Sequence, residues 1–169
     1  MSRRPSRTVS LSGDGHIAEQ AGEPLSGKAF QAARAAAAAS HDGYQRAGVL
    51  AFAITAALRR GRRDLGDAML KDALALAPSA EPMASRAAAL DLLWSTVAHN
   101  GDATMRAAVI GAVQANLHPD RSWRAGRLYR DINDWLAARD PRKAVAIIDA
   151  MPQGKARAYL TRRYAARFP

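Results

Sequence analysis

The sequence predicts an all-α fold: a short α-solenoid of about three antiparallel helical hairpins, closed by a C-terminal capping helix. Three observations carry that expectation. An arginine early in a helix, each time followed by alanine, recurs at Arg46, Arg86, Arg124 and Arg157, at spacings of 40, 38 and 33 residues. Each of the first three opens a unit of two helical stretches joined by a turn and ended by a proline, at Pro78, Pro119 and Pro152. Apolar residues follow helical rather than alternating spacing, as in Leu128, Ile132, Trp135 and Leu136. A repeat of this length, with two helices per unit, describes stacked pairs that bury their apolar faces only against neighbours.

Taken in order, residues 1–26 read as a flexible basic and polar arm. They carry Ser, Gly and mixed charge with few large apolar side chains, too little to offset the entropy of ordering. Residues 27–169 form the helical-repeat domain. Ser26 is placed to cap a helix through Ser40, and the alanines from Ala35 to Ala39 favour it strongly. The first unit runs from Arg46 to about Arg60, turns at Gly61, restarts with Asp64 as cap and ends near Ala77. The second has a helix from Arg86 to His99, a turn at Asn100-Gly101-Asp102 and a partner reaching Leu117. The third runs from about Arg121 to Ala138. Asp140 then caps and Pro141 occupies the first position of a helix ending at Met151, a strong start signal. The last helix spans Lys155 to about Phe168. Ala156, Leu160 and Tyr164 line one of its faces, with Arg162, Arg163 and Arg167 largely off it.

Composition bounds the chemistry. With no cysteine, disulfide scaffolds, thiolate metal sites and thiol catalysis are excluded, and a reducing, cytoplasmic setting is expected. The most apolar window, Ala47 to Leu58, is too short to span a bilayer, so no membrane span is expected. Gly22, Gly27 and Lys28 approach a phosphate-binding loop, but Ala29 stands where a magnesium-holding hydroxyl is needed and no strand precedes it. The histidines, His16, His41, His99 and His118, are not paired at metal-binding spacing. Asp91, Ser95 and His99 share a helix face, yet such a row supplies no oxyanion hole. No catalytic residue, metal or cofactor is therefore expected.

The formal charge is +10, unevenly placed: from Arg121 to Pro169 twelve Lys and Arg face four Asp, a local +8. Such asymmetry favours an acidic partner, although a GC-rich genome also favours Arg and Ala. The densest run, Arg59, Arg60, Arg62 and Arg63 around Gly61, joins Arg162, Arg163 and Arg167 as a candidate basic patch. With Tyr129, Tyr159, Tyr164 and Phe168 as stacking surfaces it would suit nucleic acid, though no helix-turn-helix, RNA-recognition or zinc-finger signature accompanies it. The recurrent early arginines have two readings: braces whose heads pair with an acid on the adjacent unit, which we favour, or a ladder for phosphates and carboxylates.

Over Gly43 to about Phe168 the chain resembles the tetratricopeptide repeat family. The best-matched stretch is Leu58 to Pro78, with Gly61 at the inter-helix turn, Gly66 where the helices approach, then Leu70, Ala73, Leu74 and Pro78. The second unit keeps Gly101-Asp102 and Pro119. The third keeps Ala144, Ala150 and Pro152 but has Arg139 where the turn glycine belongs, and the family's early Trp, Gly and Tyr are largely missing. HEAT-like helical pairs are the nearest alternative. The resemblance implies a groove lined by the first helix of each pair: Thr55 and Arg59 in the first unit, Asp91, Ser95 and His99 in the second, Tyr129 and Asn133 in the third. The expected function is a non-enzymatic adaptor or scaffold binding an acidic segment of another protein. The alternative is a basic nucleic-acid-associated protein. With so few repeats, an exposed last helix also offers a surface for dimerisation.

Overall fold

The computed structural model describes residues 27–165, so the arm, Ser26, Arg167 and Phe168 lie outside the described residues. Eight helices pack antiparallel in sequence, with no strand among the described residues. They are α1 (Gly27–Ala39), α2 (Gly43–Arg59), α3 (Arg63–Leu76), α4 (Met83–Asn100), α5 (Ala103–Asn116), α6 (Trp123–Ala137), α7 (Pro141–Ala150) and α8 (Lys155–Tyr164). A 3-10 turn, Ala77–Ser79, holds Pro78 after α3.

Three aspartates set helix starts by accepting otherwise orphaned backbone N–H groups. Asp42 takes that of Tyr44 at 2.8 Å, Asp102 that of Met105 at 2.8 Å and Asp140 that of Lys143 at 3.1 Å. Asp64 does not cap, contrary to expectation. Helix α3 begins one residue earlier, and Asp64 sits in its first turn, where a carboxylate suits the helix dipole. Its side chain instead pairs with Arg62 at 3.1 Å, which holds the carboxyl below the usual aspartate range. Gly61 turns the first hairpin with φ of 70°, the left-handed region that glycine enters without steric cost. Arg139 needs no such conformation, because its N–H and that of Asp140 both close onto the Leu136 carbonyl, at 2.9 and 2.6 Å.

Helices α2, α4 and α6 form a row, each touching the next. Helices α1 and α3 pack on α2, α5 on α4 and α7 on α6. Gly66 lies where α3 crosses α2; a Cβ there would sit 2.8 Å from Leu58 Cδ2. Tyr129 of α6 is buried, and its hydroxyl donates towards the carbonyls of Leu117 at 3.4 Å and Val113 at 3.5 Å, joining α6 to α5. Trp94 meets the edge of Trp135 at 5.6 Å, and the guanidinium groups of Arg106 and Arg139 lie over Trp135 at 5.0 and 4.5 Å.

The recurrent early arginines are braces, but of a kind the sequence did not suggest. Arg46, Arg86 and Arg157 each donate to the backbone carbonyl six residues upstream: Ser40, Ala80 (3.3 Å) and Met151 (3.2 Å). Each therefore holds the connection leading into its own helix. Their acidic partners, where present, are local: Glu81 for Arg86 and Asp149 for Arg157. Arg124 departs from the pattern, lying over the Trp123 ring at 4.9 Å.

Helix α8 is held from two distant points. Asp120, in the connection before α6, accepts the Ala156 N–H at 2.7 Å and so caps α8 from outside. Asp134 of α6 takes Arg163 at 3.1 Å and the Tyr164 hydroxyl. At Gly154 a Cβ would overlap the Asp120 carboxylate. Gly154→Ala and Asp120→Ala should therefore each cost about 1 kcal/mol, the scale of a lost helix cap. The double variant should cost little more than either alone, because both remove one contact. Urea unfolding of the four proteins checks this, and additive losses would show that the cap is not what Gly154 protects.

Candidate functional site

The second helices cover one side of the α2–α4–α6 row and leave the other open. On α2 the buried residues Ala47, Leu50, Ile54 and Ala57 face inward, so helical spacing turns Tyr44, Phe52, Thr55 and Arg59 outward. Tyr44 is 41% and Phe52 69% exposed. On α4, Ser95 and His99 are exposed and Asp91 is half-buried. On α6 the residues at 123, 127, 130 and 134 share the outward face, with Trp123 68% exposed. On α8, Tyr159 is 46% exposed. Among the described residues, the large exposed hydrophobic side chains thus belong to α2 and α6, two helices of the row, and to α8, the helix that follows the last pair.

The surface is graded in charge. Its α2 end carries Tyr44 and Phe52 with Arg59, its α4 centre carries Asp91 and His99, and its α6–α8 end carries Arg127, Arg130 and Lys155 with Asp131. Burial pushes the Asp91 carboxyl upward, an effect countered by Arg127 and Arg124 and reinforced by Asp131. Between α6 and α8 lies an open recess of about 520 Å³ lined by Trp123, Gly126, Arg127, Arg130, Lys155, Ala156 and Tyr159. Arg127 and Arg130 both lean on Asp131, at 3.4 and 3.3 Å, so two guanidinium groups share one carboxylate. The Lys155 ammonium has no ion pair among the described residues.

No protein-family model matches the chain, and neither a curated protein nor a solved structure matches it. The reading of this surface therefore rests on its geometry.

The expected groove residues divide. Arg59, Ser95 and His99 are exposed. Thr55 is half-buried and returns its hydroxyl to the Ala51 carbonyl at 2.9 Å. His99 Nδ1 lies 3.0 Å from the Ser95 backbone oxygen. Tyr129 and Asn133 must be corrected: at 1% and 0% exposure they are core residues and line no groove. The Asn133 amide nitrogen donates to the Tyr129 carbonyl one turn back, at 2.8 Å, while its Oδ1 is buried with no hydrogen-bond partner among the described residues. The basic patch also divides. Arg62 is paired with Asp64, Arg63 with Asp67 and Asp102, and Arg163 with Asp134. Arg60 is half-buried and Arg162 exposed. The two arginine groups sit on different elements, one at the turn from α2 into α3 and the other on α8.

Phe52, Trp123, Arg127, Arg130 and Lys155 were not singled out from sequence. A signal was there: 123, 127, 130 and 134 keep i, i+4, i+7, i+11 spacing opposite the Leu128–Ile132–Leu136 stripe. Among the described residues no cluster of His, Asp or Glu could hold a metal, and no helix is long and apolar enough to cross a membrane.

Proposed function

We propose that the chain is a tetratricopeptide-like interaction module that binds an acidic segment of another protein along its row of first helices. The observation that carries this reading is the placement of Tyr44, Phe52, Trp123 and Tyr159: exposed apolar side chains on α2, α6 and α8, the last two set among cations. Burying such rings supplies affinity, while the surrounding arginines and lysine select an acidic partner and speed the encounter. The repeat assignment is supported by the stacking of α2, α4 and α6, the left-handed Gly61 turn and the close approach at Gly66. The nucleic-acid alternative has less support. Arg62 and Arg63 already have carboxylate partners, and Asp91 and Asp131 interrupt the path a phosphate backbone would follow.

The test is affinity capture by the tagged full chain from its native lysate, with and without nuclease, beside a Phe52→Ala/Trp123→Ala variant. We expect a discrete protein partner that survives nuclease and is lost from the variant. Partners that vanish with nuclease, or that the variant retains undiminished, would overturn the reading.

A further inference from the structure

We infer that the recess between α6 and α8 is the anchor site of that interaction, and that its occupant is a peptide segment in which acidic residues flank one large apolar side chain. This inference rests on the interaction-module reading and adds where the segment is gripped and by what.

The charge balance of the recess points to carboxylates. Three cations line it, and Asp131 is shared between Arg127 and Arg130 at the long distances of 3.4 and 3.3 Å. Exposed pairs of that kind contribute little and exchange readily. Arg127 reaches Asp131 through Nε, so its terminal N–H groups remain to meet an incoming carboxylate. Lys155 adds a cation that forms no ion pair among the described residues. Asp120, which accepts the Ala156 N–H, keeps its negative charge beside Lys155 and is the second carboxylate at the recess after Asp131.

The walls call for an apolar group beside those carboxylates. Gly126 and Ala156 present no bulk, while Trp123 and Tyr159 stand partly exposed. Arg124 lies over the Trp123 ring at 4.9 Å and helps to fix it. The recess is open and of about 520 Å³, room for one large side chain to lie against its walls. A peptide suits the surroundings better than a polynucleotide. A strand leaving the recess towards α4 meets Asp91, which would repel a phosphate, whereas a peptide needs acids only at its anchored end.

The experiment uses the full chain and fluorescein-labelled peptides of one frame, Glu-Asp-X-Asp-Glu between Gly-Ser flanks. X is Phe, Trp, Leu or Ser. Controls are the X = Phe peptide with its acids replaced by Gln and Asn, and a labelled oligo-dT. Binding is read by fluorescence polarisation at fixed salt for wild type, Lys155→Glu, Arg127→Gln and Phe52→Ala. Lys155→Glu should not disturb folding, since the side chain is exposed and a carboxylate suits the first turn of α8; thermal melts confirm this. We expect the X = Phe or Trp peptide to bind at least tenfold tighter than X = Ser and than the Gln/Asn control. Lys155→Glu should weaken it at least tenfold, and Arg127→Gln severalfold. Phe52→Ala should change it less than threefold. Peptide binding that is lost in Phe52→Ala but not in the two recess variants would overturn the anchor site and leave the module reading standing. A preference for oligo-dT that Lys155→Glu abolishes would overturn the peptide as occupant. No binding of any probe, together with captured partners that vanish with nuclease, would overturn both readings.

Discussion

Tyr129→Ala is expected to lower the unfolding free energy by about 3–5 kcal/mol, the scale of deleting a buried aromatic side chain. Tyr129 is among the largest fully buried side chains, and its ring fills the contact between α6 and the hairpin before it. For a domain of this size the loss should lower the melting temperature by on the order of 10 °C. Tyr129→Phe should cost about 1 kcal/mol or less, since the hydroxyl bonds of 3.4 and 3.5 Å are long. The two variants therefore separate packing from hydrogen bonding. The phenol also makes the fold sensitive to alkali. Burial raises its pKa from 10.0 to about 12. The folded state thus holds the proton more tightly than the unfolded state. That stability is fully present below about pH 10 and is lost as the pH rises towards 12. Tyr129→Phe should flatten this decline in part. It should not remove it, because burial and Asp134 also raise Tyr164 to about 12. Urea unfolding at pH 8 and pH 11 measures both effects, and an unchanged alkaline decline in Tyr129→Phe would refute the assignment.

Gly43→Ala should also destabilise, by about 1–3 kcal/mol, although alanine is the better helix former. A Cβ at Gly43 would lie 2.8 Å from Ala80 Cβ, 2.9 Å from its Cα and 3.1 Å from its nitrogen. The neighbour is backbone, and Arg86 holds the Ala80 carbonyl, so the connection has little room to retreat. Gly48→Ala, five residues along the same helix, supplies the contrast. Its Cβ would meet only Leu92 Cδ1, at 4.0 Å, so that change should be neutral or stabilising. Thermal melts of the two variants decide the point. Equal effects would mean that the approach of α2 to the Ala80 connection is not a tight one.

The helices were legible because their boundaries are written locally. Gly61, Asp102 and Asp140-Pro141 each act on backbone within a few residues of themselves. Asp64 misled because an aspartate early in a helix serves equally as a cap or as a counter-charge to the dipole, and only the geometry tells which. The surface was half legible. Ser95 and His99 lie outside as their polarity implies, whereas Asn133 is buried with its amide N–H returned to its own helix and its Oδ1 unpaired among the described residues. Phe52 and Trp123 reverse the rule from the other side. The arginines were least legible. Arg63 meets Asp102 and Arg163 meets Asp134 across long stretches of chain, and no local pattern announces such pairs.

The carbonyl braces have a consequence for how copies of this chain meet in solution. A guanidinium that closes a connection onto a backbone oxygen keeps its full charge, because a carbonyl cancels none of it. Arg46 in this way adds cationic character as a by-product of construction, and Arg106, bound to the Gly101 carbonyl at 2.6 Å, does the same. The long-range field of the molecule is thus partly a record of how its turns are locked. It will hold like molecules apart at low ionic strength and relax as salt is added, whatever the chain binds.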